Sequence, residues 1–146
     1  MKRQDNKAMG RFAIEFEIAN DRDLDMAEEG QLAPAKVRRA IMNGVADSGA
    51  THLILPLAVV KRLGLPVQKN KVDVRYADGR VAQRSKVDKV RVFLQGRNGV
   101  FSALVEPKRE TALIGAIIME DLDFLVDCKG KRLIPRNPDR ETSEIE

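Results

Sequence analysis

The stretch Met42-Asn43-Gly44-Val45-Ala46-Asp47-Ser48-Gly49-Ala50-Thr51-His52-Leu53-Ile54-Leu55-Pro56 decides how this chain is read. Val45 and Ala46 read as the end of a buried strand, Asp47-Ser48-Gly49 as a tight loop, and Leu53-Ile54-Leu55 as a second apolar segment. A carboxylate is thereby carried to the edge of a core. Burying an ionised group is costly unless the group is paired or used, so the placement needs a chemical reason.

Taken alone, Asp47-Ser48-Gly49 is weak, because such a triplet arises by chance in roughly one chain of this length in twenty. All three residues favour turns, and a plain Asx turn accounts for them. The surrounding pattern changes the weighing. Upstream, Phe12, Ile14, Phe16 and Ile18 alternate with Arg11, Ala13, Glu15 and Glu17, which predicts a half-buried strand. Residues 1–10 are polar and expected to be flexible. Asn20 to Pro34 is acidic and irregular and reads as a long surface loop, with at most a short helical turn at Leu24 to Glu29. Val37 to Met42 returns to extended structure, which Asn43-Gly44 is expected to break or bend just before Asp47.

Downstream, Leu57 to Leu63 has the composition of a short helix, with Gly64 as its stop and Pro66 just beyond. Val72, Val74 and Tyr76 alternate up to Asp78-Gly79, the strongest hairpin signal in the chain, and Val81 begins the return. A second hairpin joins Val90-Leu94 to Phe101-Val105 through Gly96-Gly99. Ala112-Leu113-Ile114-Gly115 is a compact apolar strand ending in glycine. Ala116 to Leu122 is expected to be the longest helix. Phe124-Val126 and Lys131-Ile134 suggest a last hairpin, and 136–146 a charged, frayed tail. Short strands, frequent turns and only two or three short helices predict one mostly β, barrel-like domain over 11–135.

Composition narrows the partners. At 146 residues one ordinary domain is expected, large enough to need no staples. A single cysteine, Cys128, excludes an internal disulfide and suits a reducing compartment; it has no basic partner motif to activate it. Met1 to Ala8 lacks a signal-peptide core, and the longest apolar run, Leu53 to Val60, is interrupted by Pro56, so a cytoplasmic protein without membrane contact is expected. Between Lys61 and Arg109 thirteen Lys/Arg stand against four Asp/Glu, leaving thirteen against eighteen elsewhere. Nucleic acid is not the expected partner of that basic half: there is no Trp, one Tyr, and the charges alternate with apolar residues as in any half-solvated sheet. His52, the sole histidine, lies four residues after Ser48, but no nucleophile elbow or ligand cluster surrounds it, and neither metal nor cofactor is expected.

Asp47-Ser48-Gly49 after an apolar strand, the Asp78-Gly79 hairpin, and Leu113-Ile114-Gly115 before a helix occur in an order that resembles the retroviral-type (retropepsin-like) aspartic proteases, particularly their cellular and bacterial relatives. The resemblance spans Phe12 to Ile134. It implies a closed-barrel acid-protease fold with one or two short helices, forming one half of a two-fold dimeric protease. Asp47 would be catalytic within an active-site loop of Ser48, Gly49, Ala50 and Thr51. Tyr76, Ala77, Asp78, Gly79 and Arg80 would form a flap over the substrate, while Leu113, Ile114 and Gly115 support the loop. Ser48 stands where Thr is commoner and would bond across the two-fold; Gly49 would let a substrate backbone approach.

The chemistry needs two neighbouring carboxylates, one as base for a water and one as acid toward the scissile carbonyl. One triplet per chain means that the second Asp47 comes from a second copy, so the resemblance implies a homodimeric endopeptidase acting on peptides or proteins. A catalytically quiet peptide-binding or dimerisation module is the alternative. Viral members carry an Asp at the position of Thr51 and an Arg at that of Ala116, so both charges of that pair are absent here. The flap has one glycine where viral flaps have several and is expected to be stiffer. The Leu57-Leu63 helix is a further departure, shared with cellular relatives.

Overall fold

Alternation builds the first two strands. In the computed structural model, which describes residues 11–145, β1 (Arg11–Asn20) turns Phe12, Phe16 and Ile18 into the core. It pairs antiparallel with β2 (Arg39–Asp47), placing Phe12 opposite Ala46 and Arg11 opposite Asp47. β2 runs unbroken through Asn43-Gly44, contrary to the expected interruption. Gly44 is needed for space rather than for a bend: a Cβ there would sit 2.8 Å from the Phe16 ring.

The acidic stretch expected as a loop contains α1 (Asp21–Glu28), the longest helix among the described residues, followed by a single 3-10 turn at Pro34–Lys36. Its start is specified by polar groups that hydropathy does not weigh. Asn20 Oδ1 accepts from the Asp23 amide at 3.1 Å, and Asp21 and Asp23 sit in the first turn, where the helix dipole favours negative charge. Asn20 Nδ2 donates to the Leu63 carbonyl at 2.9 Å, and Arg38 grips Asp23 with Nε at 2.8 Å and Nη2 at 3.0 Å. Asn20, Asp21 and Asp23 are therefore buried rather than solvated.

β3 (Leu53–Pro56) feeds α2 (Leu57–Leu63), which stops at Gly64 in the left-handed region, φ 60°, as the sequence indicates. β4 (Val72–Arg75) and β5 (Val81–Arg84) form a separate two-stranded hairpin. β6 (Lys86–Leu94), β7 (Arg97–Glu106) and β8 (Ala112–Ile114) complete a closed barrel in the order β1-β2-β8-β3-β7-β6. Ile18, Leu53, Leu55, Val90, Val92 and Ile114 fill it, each essentially without solvent contact.

α3 (Ala116–Asp121) has six residues and is the shortest α-helix described, not the longest. It ends because Asp123 turns left-handed at φ 64° and Arg97 Nη1 takes the carbonyls of Leu122 and Asp123 at 2.8 and 2.9 Å. β9 (Phe124–Asp127) and β10 (Arg132–Pro135) form the expected last hairpin. The tail is held rather than frayed: Thr142 donates its amide and hydroxyl to Asp123 Oδ2, both at 2.7 Å, and Arg97 Nη2 reaches the carbonyls of Asn137 and Arg140. Residues 1–10, expected to be flexible, lie outside the described residues. No helix among those described is long and apolar enough to cross a membrane.

Candidate active site

Two crossing strand pairs deliver Asp47. β2 runs parallel to β8 with Val45 opposite Leu113 and Ala46 opposite Ile114, while Ile54 of β3 pairs antiparallel with Leu113. Asp47, the last residue of β2, emerges where these strands diverge. The loop then closes on the carboxylate: the Gly49 amide donates to Asp47 Oδ1 at 2.9 Å and the Ala50 amide to the Asp47 carbonyl at 3.1 Å. Oδ2 faces Arg11 Nε at 3.3 Å, and the Asp47 side chain remains 20% exposed. The carboxylate is thus ordered and reachable.

Gly115 carries the loop from below. Leu113, Ile114 and Gly115 are all buried, and a Cβ on Gly115 would meet the carbonyl oxygens of His52 and Ala50 at 2.5 and 2.7 Å. That proximity lets the first amides of α3 hold the loop backbone, Ala116 N to Ala50 O at 2.7 Å and Ile117 N to Thr51 O at 3.0 Å. Ser48 is exposed at the tip.

Above the loop stands the β4–β5 hairpin. Its turn is closed by Tyr76 N to Arg80 O at 2.9 Å and Gly79 N to Tyr76 O at 3.0 Å, with Gly79 at φ 89°. Asp78 and Arg80 pair with each other at 2.8 Å on the exposed tip. The Arg80 backbone amide, then its guanidinium, holds the Asp78 carboxyl below its usual range. Tyr76 turns back toward the barrel, where its hydroxyl donates to Glu106 Oε1 at 2.7 Å. Arg84 donates to the same oxygen, and the Arg80 and Arg84 guanidinium groups lie 5.0 and 5.9 Å from the Tyr76 ring centre. Burial, and secondarily the Glu106 carboxylate, push the Tyr76 phenol above its usual value.

Between loop and hairpin lies a cleft of about 430 Å³. Gly49, Ala50, Thr51 and His52 border one side and Val72 to Ala77 the other, over a floor of Ile54, Leu104 and Leu113. Asp47 and Ser48 stand beside this space without lining it, Ile114 and Gly115 lie beneath it, and Asp78, Gly79 and Arg80 are beyond its rim. Arg11, Arg84 and Glu106 are contributors that sequence reading did not single out. Arg11 is placed opposite Asp47 by strand register, whereas Arg84 and Glu106 meet through packing of the separate hairpin against the barrel. Among the described residues no group of His, Cys, Asp and Glu is placed to hold a metal ion.

Residues 33–118, more than half of the chain and including loop, hairpin and Gly115, match the family model described as aspartyl protease. The chain belongs to the aspartyl protease family. Its fold matches 223 chains of known structure. Among them is EIAV protease complexed with the inhibitor HBY-793, at 19% identity and a TM-score of 0.53, over 85% of this chain and 92% of that one. The fold of this family member is accordingly retropepsin-like. No protein of curated function matches by sequence.

Proposed function

We propose that this chain is an aspartic endopeptidase working as a homodimer, with one Asp47 from each subunit at a shared site on the two-fold axis. The observation that supports it best is the Asp47 loop itself. Its carboxylate accepts from the Gly49 amide, its loop is propped by Gly115, and it stands beside a cleft of about 430 Å³. In a pair of such loops, one ionised Asp47 takes a proton from a water as that water attacks the scissile carbonyl, and the other, protonated, gives its proton to the developing oxyanion. Like charges so close do not both ionise easily, and the pair titrates as a unit. The hairpin carrying Tyr76 closes over the substrate and excludes bulk water.

One contact favours a second reading. Arg11 occupies Asp47 Oδ2 in the single chain, and a carboxylate neutralised in this way suits a peptide-binding or dimerisation module without turnover. Peptide-library cleavage separates the two. The dimeric enzyme loses about 10²–10⁴-fold of its activity or more on Asp47→Asn, and its specific activity falls on dilution through the dimer dissociation range. Cleavage that survives in Asp47→Asn, or that is indifferent to dilution, excludes the shared-carboxylate mechanism; binding without cleavage selects the module.

A further inference from the structure

A second cavity, of about 280 Å³, lies on the other side of His52, which borders both it and the cleft. Lys86 at the start of β6, Val100 and Ser102 of β7, and Ile117 of α3 contribute to its walls. Val100 and Ile117 are 42% and 41% exposed, so its rim is apolar and open. Lys86 is the one charged side chain in its lining, and no carboxylate lines it. Asp88 is close enough to feel the Lys86 charge. Asp88 Oδ1 accepts from Ser102 Oγ at 2.6 Å and Gln68 Nε2 at 2.8 Å, and among the described residues Lys86 forms no ion pair within 4.0 Å, with Asp88 or with any other carboxylate.

An ammonium that forms no direct ion pair, lining a concavity joined to the cleft through one residue, is a group that an entering anion can pair with. The hairpin adds the same sign nearby. Of the hairpin's Arg75, Arg80 and Arg84, Arg80 is paired with Asp78 and Arg84 with Glu106, which leaves Arg75 without an ion pair among the described residues.

We propose that this cavity is a specificity pocket for an acidic side chain of an extended peptide that passes His52 on leaving the cleft, with Lys86 as the selecting residue; the path of the peptide rests on the protease reading above. Peptides sharing a central apolar pair and differing only in Glu, Gln or Lys at one outer position test it. Binding is read by fluorescence anisotropy on the Asp47→Asn chain, and cleavage is read on the native one. At one outer position Glu should bind about tenfold tighter than Gln, with Lys weaker still, in a manner that fades with salt. Lys86→Glu should invert the order and Lys86→Met should flatten it.

Equal binding of the three peptides at every position, or no binding of any, overturns the pocket. So does an acid preference that persists in Lys86→Glu. Because the preference is measured first without altering Lys86, the result does not depend on how the variants fold. Acid-selective binding with no cleavage by the native chain keeps the pocket and removes the protease reading; cleavage indifferent to the acid does the reverse.

Discussion

Replacing Gly115 by Ala tests whether the Asp47 loop is carried by a backbone-to-backbone contact. Gly115 has φ −92° and ψ −176°, a conformation any residue adopts, so conformational strain contributes nothing. The cost is steric. The added methyl would lie 2.5 Å from His52 O, 2.7 Å from Ala50 O and 2.7 Å from the Thr51 carbonyl carbon, and none of these can rotate away. Overpacking of this kind costs about 1–3 kcal/mol. The shift that relieves it pulls Ala116 N from Ala50 O and Ile117 N from Thr51 O, and each lost hydrogen bond adds about 0.5–1.5 kcal/mol. The sum is about 2–6 kcal/mol, or about 6–18 °C in Tm for a domain of this size. Differential scanning calorimetry at fixed protein concentration measures it. Gly79→Ala is the control: φ 89° strains the new residue, yet nothing lies within 4 Å of the new Cβ, so the loss should stay near 1–2 kcal/mol. A Gly115→Ala chain within 0.5 kcal/mol of native, or no worse than Gly79→Ala, refutes the reasoning.

Three further outcomes follow from contacts away from Gly115. Arg97→Ala strips donors from the carbonyls of Leu122, Asp123, Asn137 and Arg140 and removes the stacking on Phe124, 5.3 Å away. Urea unfolding should show a loss of about 2–4 kcal/mol. Hydrogen bonds from the Thr142 hydroxyl and amide hold the Asp123 carboxyl below its ordinary 3.8. The stability this confers is present above that pH and lost as the pH falls through the folded value, and the acid limb of a Tm-against-pH curve should flatten in Thr142→Ala. Tyr76 is the only tyrosine, so phenolate absorbance reports it alone. Its midpoint should lie above 10.0 in the folded chain and move back toward it in Glu106→Met, the stability involved being present below 10.0 and lost as the pH rises through the folded value.

Elements with a single hydropathic period were legible in the sequence, whereas elements specified by polar contacts were not. The alternation from Phe12 to Ile18, the Asp78-Gly79 turn and the Gly64 stop each depend on near neighbours, and each appears where the pattern put it. α1 was foreseen only as a short turn at Leu24 to Glu29, because its cap, Asn20, and its first-turn acid, Asp23, are completed by Leu63 and Arg38, remote in sequence. The tail was misjudged for the same reason, since its anchors, Asp123 and Arg97, look like ordinary surface charges until the fold brings them to Thr142 and Arg140. The candidate site divides along the same line. Asp47, the hairpin and Gly115 carry local signatures, while the contacts of Arg11 with Asp47 and of Glu106 with Tyr76 exist only through strand register and long-range packing.

Thr51 and Ala116 bring these strands of argument together. With neither charge of the viral pair present, neither is buried without its partner. The backbone shows how the loop keeps its place without them: the Ala116 amide holds Ala50, the Ile117 amide holds Thr51, and Gly115 leaves the room both need. Neutral main-chain bonds position the loop but offer a peptide no charge to grip. On the protease reading, charged recognition would fall to Asp73, Arg75 and Glu106 of the cleft and, past His52, to Lys86. Restoring the viral charges through Thr51→Asp with Ala116→Arg should leave the fold intact, whereas Thr51→Asp alone, with no cation supplied, should weaken both stability and the binding of acidic peptides.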